Sequence, residues 1–155
     1  MRAFHARMES EVFAHGGTLD KYLGDGLMAS FGTPLPQADD AARAVACVQA
    51  MADRMATLNS ARRADGLPEI DARFGLHFGQ VGLGDIGANR LEFAVLGDTV
   101  NVASRLEAMT RALNVRAIVS DAAMAAADAS NGFRRAPDQK VRGVAEPLPV
   151  WVLED

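Results

Sequence analysis

Two short apolar runs, Thr18 to Leu23 and Leu27 to Phe31, flank Gly24-Asp25-Gly26. A glycine-bracketed aspartate between two such runs predicts a strand, a tight turn and a second strand. The segments on either side of this hairpin are also constrained. Phe4, Met8 and Val12 recur every four residues and Gly16-Gly17 come next, which predicts a helix that packs one face and stops before the first strand. Beyond the hairpin, Pro34 and Pro36 break regular structure and Asp39 or Asp40 can cap a second helix. Val45, Val48, Met51, Met55 and Leu58 keep helical spacing to about Ala64.

From Asp71 to Ile86 short β-type runs carry several glycines, and Leu91 to Leu96 comes after an Ala88-Asn89 turn, which predicts two antiparallel strands and a hairpin. Gly97-Asp98 opens a helix whose buried stripe is expected at Val100, Ala103, Leu106 and Met109 or Thr110, ending at Leu113. A strand at Val115 to Ser120, a short helix from Asp121, and strands near Phe133 and at Val150 to Leu153 close the chain. The order is α+β, with an antiparallel-rich sheet and helices packed on it.

With 155 residues and 49% hydrophobic content, one sizeable core in a single domain is expected. A net charge of −4 and scattered Lys and Arg argue against a nucleic-acid partner. No stretch is long and apolar enough for membrane insertion by this segment. The single cysteine, Cys47, forms neither a disulfide framework nor a Cys-based zinc site, as expected of a cytoplasmic chain. His5, His15 and His77 lack the spacing of a metal cluster and read as structural.

Two segments can carry chemistry. Lys21-Tyr22-Leu23-Gly24-Asp25-Gly26 puts a carboxylate at a hairpin tip with room for a metal and phosphates, although Asp-Gly also turns hairpins for conformational reasons alone. Asp98 to Arg105 places Asn101 and Arg105 four residues apart on one helix face, where an amide and a planar guanidinium can meet a sugar and a phosphoryl group; a solvated face with Arg105 ion-paired is the alternative. Val81-Gly82-Leu83-Gly84-Asp85 precedes a hairpin rather than a helix, which excludes a dinucleotide phosphate loop.

Together, Gly17 to Ala29 and Phe93 to Glu107 resemble class III adenylyl and guanylyl cyclases of bacterial type, and Phe74 to Gly79 and Val141-Arg142-Gly143 extend the resemblance over nearly the whole chain. It implies a palm-type, ferredoxin-like fold and an adenylate cyclase that makes cyclic AMP and pyrophosphate by attack of the ribose 3′-hydroxyl on the α-phosphate of ATP. The cofactors implied are two Mg²⁺ or Mn²⁺ ions. By the same resemblance Asp25 holds metal, Lys21 reads the purine, Asn101 orients the ribose and Arg105 stabilises transition-state charge. The partner implied is a second copy: a homodimer with interfacial active sites, under an upstream sensor or regulatory domain.

The sequence departs from that pattern in three places. The family's first metal carboxylate belongs to a strand ahead of the first helix, so residues 1–155 are expected to be a catalytic domain lacking that strand. Ala94 stands where adenylyl cyclases carry an Asp or Thr acceptor. Val144 stands near the family's late phosphate-binding lysine, with Arg142 close by. These departures support an alternative, a catalytically silent cyclase-homology module for dimerisation or nucleotide sensing. A diguanylate cyclase is disfavoured, because its hairpin would read Gly-Gly-Asp/Glu-Glu-Phe.

Overall fold

The computed structural model describes residues 2–33, 35–80, 82–85, 93–96, 98–128, 132–142 and 144–154. Its elements run α1 (Arg2–Ala14), β1 (Thr18–Leu23), β2 (Gly26–Ser30), α2 (Asp40–Ala64), β3 (Phe74–Leu76), β4 (Gly82–Asp85), β5 (Phe93–Leu96), α3 (Asp98–Leu113), β6 (Ala117–Ser120), α4 (Asp121–Ala127), β7 (Arg134–Gln139) and β8 (Leu148–Leu153). A four-stranded sheet has the order β3-β6-β8-β7, and β1-β2 and β4-β5 form two separate antiparallel pairs.

Strand β6 explains how the layers form. Its residues are all buried, and they alternate between faces as a strand requires. Ala117 and Val119 join Met8, Val12, Val45, Val48, Met55 and Met124, so one face of the sheet is covered by α1, α2 and α4. Ile118 turns the other way and joins Val102, Leu106, Val150 and Val152, which seats α3 on the opposite face.

Three expectations need correction. The Asp71 to Ile86 region does not supply two mutually antiparallel strands: β3 runs parallel to β6, pairing Phe74 with Ala117, while β4 pairs with β5. The buried stripe of α3 is Val102, Leu106 and Thr110, because β3 crosses the helix at Ala103 and Glu107 and leaves Val100 only half-buried. Asp39 precedes α2 without a side-chain cap. Instead the buried Asp40 accepts a hydrogen bond from the Gln37 amide at 2.7 Å and pairs with Arg43, whose guanidinium also donates to the carbonyls of His15 and Gly16. That network ties the end of α1 to the start of α2. The expected Ala88-Asn89 turn lies outside the described residues.

His77, just beyond β3, has its Nδ1 2.8 Å from Ser120 Oγ. Ser120 Oγ also accepts the Ala123 amide at the N-terminus of α4, so one hydroxyl joins the His77 ring to the start of that helix. Burial lowers the His77 pKa from its usual value. An imidazole whose folded pKa is depressed takes up a proton more readily when unfolded, so stability is complete above the usual histidine value of about 6.5 and declines as pH falls below it. The melting temperature is therefore expected to drop between about pH 7 and pH 5. In His77→Gln that pH-dependent component should shrink; an unaltered profile would remove His77 as its source.

Candidate active site

Two elements carry the candidate residues. In the β1-β2 hairpin Leu19 pairs with Ala29 and Lys21 with Met28, so Asp20 is an extra residue in a β-bulge. Ser30 Oγ donates to Asp20 Oδ1 at 3.2 Å. Met28 and Ser30 lie on one face of β2, so the bulge puts Asp20 and Lys21 on that same face, while Leu27 and Ala29 face the core. Asp20 Oδ2 is buried with no hydrogen-bond partner among the described residues. Burial raises the Asp20 carboxyl above its ordinary value, opposed by the Ser30 hydrogen bond and the charge of Lys21.

The turn after β1 needs Gly24, whose φ is +62° with nothing packed where a Cβ would stand. That open side leaves Asp25 exposed at the tip. Lys21 is exposed as well. A lysine ammonium and a carboxylate thus project from one hairpin.

On α3, Asn101 is exposed and Arg105 is half-buried, as their spacing predicts. Val102, Leu106 and Thr110 anchor the helix beneath them. Gly75 lets β3 approach so closely that a Cβ there would lie 2.4 Å from the Glu107 amide nitrogen and 2.5 Å from the Ala103 carbonyl oxygen. At the other end Thr99 Oγ1 donates to the Gln80 carbonyl at 2.5 Å, which fixes the start of α3 against the segment after β3. Arg105 Nη1 donates to the Arg142 carbonyl, so one corner of its guanidinium is held by the segment between β7 and β8. Arg142 is itself exposed, whereas Val144 packs against the α3-side apolar cluster. Ala94 lies in β5 opposite Gly84.

The hairpin carries Lys21 and Asp25, and α3 carries Asn101 and Arg105. Among the described residues no hydrogen bond or ion pair joins one set to the other. The pKa of Arg111 is raised first by its hydrogen bond to Glu107 and by the charge of Glu107, and only last, after Asp71, by the charge of Asp25. Arg111 stands six residues beyond Arg105, about 9 Å along the helix axis. The described residues contain no cluster of three or more His, Cys, Asp or Glu side chains able to hold a metal ion. Asp25, exposed and without an ion pair among the described residues, suits one carboxylate ligand, but not a complete coordination set.

Gly75, Thr99, Asp20 and His5 are not singled out by sequence as parts of the site. Glycine at position 75 is visible there, but the helix it touches lies far along the chain. A bulge at Asp20 leaves no local signature.

The chain matches the family described as the adenylate and guanylate cyclase catalytic domain over residues 2–154. It is similar to adenylate cyclase 1 of Rhizobium meliloti, 38% identical over 90% of this chain and 21% of that protein. It is also similar to the adenylate cyclase of Anabaena cylindrica, 32% identical over 96% of this chain and 30% of that protein. The chain therefore spans less than a third of these curated relatives. In three dimensions it superposes on the adenylyl cyclase CyaB from P. aeruginosa with a TM-score of 0.84 and 28% identity, covering 99% of this chain and 80% of that one. Against the guanylyl cyclase Cya2 the TM-score is 0.78 at 31% identity, covering 96% and 75%. With the family matched over nearly its whole length and the α+β fold shared with solved cyclases, this chain belongs to the adenylate and guanylate cyclase catalytic-domain family.

Proposed function

We propose that this domain converts ATP to cyclic AMP and pyrophosphate in a homodimer, at sites where Asp25 of one subunit meets Lys21, Asn101 and Arg105 of the other. The observation that carries the reading is that, among the described residues, no hydrogen bond or ion pair joins Asp25 to Asn101 or Arg105 of its own chain. A second copy then supplies the carboxylate.

Each residue then has one task. The Lys21 ammonium donates to a ring nitrogen of adenine; on guanine it would face donors, leaving polar groups unpaired. The Asn101 amide holds the ribose so that its 3′-oxygen stands in line with the α-phosphorus. A bond forms between those atoms as the bond from the α-phosphorus to the bridging oxygen of pyrophosphate breaks, and the 3′-hydroxyl proton is released to water. Arg105 stabilises the charge that develops on the α-phosphoryl oxygens. Its hydrogen bond to the Arg142 carbonyl uses one of five N–H donors and orients the rest. Asp25 is the carboxylate this chain offers to a divalent ion, Mg²⁺ or Mn²⁺, which when bound would polarise the phosphoryl group and neutralise triphosphate charge. The second carboxylate of a two-ion site is to come from outside the described residues. ATP as substrate assigns the domain to the cytoplasm, and the greater length of the relatives leaves room for a regulatory domain.

Base selectivity tests the reading. For the full-length protein kcat/KM for ATP should exceed that for GTP by about five- to a hundredfold, the cost of one unpaired polar group. Ala94 offers no acceptor to the adenine amino group, which limits the preference. Lys21→Glu should erase or reverse it. A wild-type preference for GTP would remove Lys21 as an adenine reader. Val144, uncharged and half-buried against the α3-side apolar cluster, favours the second reading of a silent cyclase-homology module; nucleotide binding without any cyclic product would establish that one.

A further inference from the structure

Resting on the reading of Asp25 as a metal carboxylate, we infer that His5 is a positioning residue that fixes the hairpin tip bearing it. His5 Nε2 lies 2.7 Å from the backbone carbonyl oxygen of Asp25, twenty residues away in sequence. A carbonyl only accepts, so Nε2 carries the hydrogen and donates it. The same ring packs against Tyr22, with centroids 5.4 Å apart and planes tilted by 55°, and against Phe4 at 5.5 Å. His5 therefore touches the hairpin on both sides of Gly24.

The base of this contact is rigid. Met8 and Val12 are each only 1% exposed, so α1 is locked to the core one turn beyond His5. The β1-β2 ladder ends at the Leu23 to Gly26 pair, which leaves Asp25 outside it. Gly24, next to Asp25, is the residue least able to hold the tip in one conformation. The carboxylate of Asp25 is thus aimed by a turn whose anchor outside the ladder is His5. Donors that orient a ligand from behind affect how tightly the metal is held, and here the bond goes to the backbone of the ligand's own residue, so metal affinity is where its loss is read.

Two variants separate the donor from the ring. His5→Phe keeps a ring against Tyr22 and loses the donor. His5→Gln loses the ring and keeps an N–H donor. In the full-length protein, cyclase activity is titrated with Mn²⁺ at saturating nucleotide; separately, Mn²⁺-induced broadening of the Asp25 and Gly26 amide resonances is followed without nucleotide. For His5→Phe the half-effect Mn²⁺ concentration should rise about three- to tenfold in both titrations, the worth of one ordinary hydrogen bond, with kcat at saturating metal within about twofold of wild type. His5→Gln should return at least part of that shift, and neither variant should lower the melting temperature appreciably. Unchanged Mn²⁺ dependence in His5→Phe overturns the inference, as does a fall in kcat without a change in metal dependence, or a His5→Gln variant no better than His5→Phe. Asp25→Ala is the control for the underlying reading: if it retains activity, Asp25 is not the metal carboxylate, whatever the His5 variants do.

Discussion

Asp25→Ala and Arg105→Ala, made separately in the full-length protein, are each expected to lower cyclisation by about a hundredfold or more, since in the proposed site one removes a metal carboxylate and the other transition-state charge stabilisation. Mixing the two inactive proteins should restore activity. In a mixed dimer one interface collects both substitutions, and the other pairs the intact Asp25 of one chain with the intact Arg105 of its partner. Random exchange makes about half the dimers mixed, each with one of two sites intact, so recovery should approach roughly a quarter of the wild-type rate. Differently labelled subunits show whether exchange has occurred. Exchange without recovery would mean that Asp25 and Arg105 serve one site from the same chain. The lack, among the described residues, of any hydrogen bond or ion pair between Asp25 and Arg105 of one chain argues for recovery.

A second large effect should come from Gly75→Ala, a change of one methyl group. The added Cβ would stand 2.4 Å from the Glu107 amide nitrogen and 2.5 Å from the Ala103 carbonyl oxygen. Both are backbone atoms of α3, so no side chain can rotate away and the helix must move off the sheet. Overpacking of this kind costs about 2–3 kcal/mol, or roughly 4–12 °C in melting temperature for a domain of this size. Asn101 and Arg105 ride on the displaced helix, so activity at temperatures where the variant is still folded should fall by about tenfold or more. A melting temperature within a degree of wild type would show that β3 and α3 are not packed this tightly.

Much of this fold can be read locally, because its signals are local. The turn at Gly24-Asp25-Gly26, the four-residue spacing of Phe4, Met8 and Val12, and the pairing of Asn101 with Arg105 on one helix face all depend on residues close in sequence. The features that escape are set by contacts between distant segments. The β-runs after Asp71 carry no mark that β3 will pair with β6, more than forty residues on, in parallel. The phase of α3 is ambiguous at its start, since Val100 and Val102 are equally apolar and only the crossing of β3 at Ala103 and Glu107 decides which is buried. His5 reads as an ordinary structural histidine, because nothing near it in sequence reveals that its ring ends at the Asp25 carbonyl. Val144 can be seen as a missing charge, but not as a side chain that packs against the α3-side cluster.

Whether this cyclase domain acts on ATP and needs Asp25 to do so is tested most directly by product identification. The full-length protein is incubated with ATP or GTP and Mg²⁺ or Mn²⁺, and the products are identified by ³¹P resonance and chromatography. An Asp25→Asn variant, which keeps the size of the hairpin residue and removes its charge, is measured beside it. Cyclic 3′,5′-AMP and pyrophosphate are expected in equal amounts from ATP, with less product from GTP and almost none from the variant. Nucleotide binding by a folded dimer with no cyclic product under any of these conditions, or full activity in Asp25→Asn, would contradict both the proposed reaction and the role of Asp25 in it.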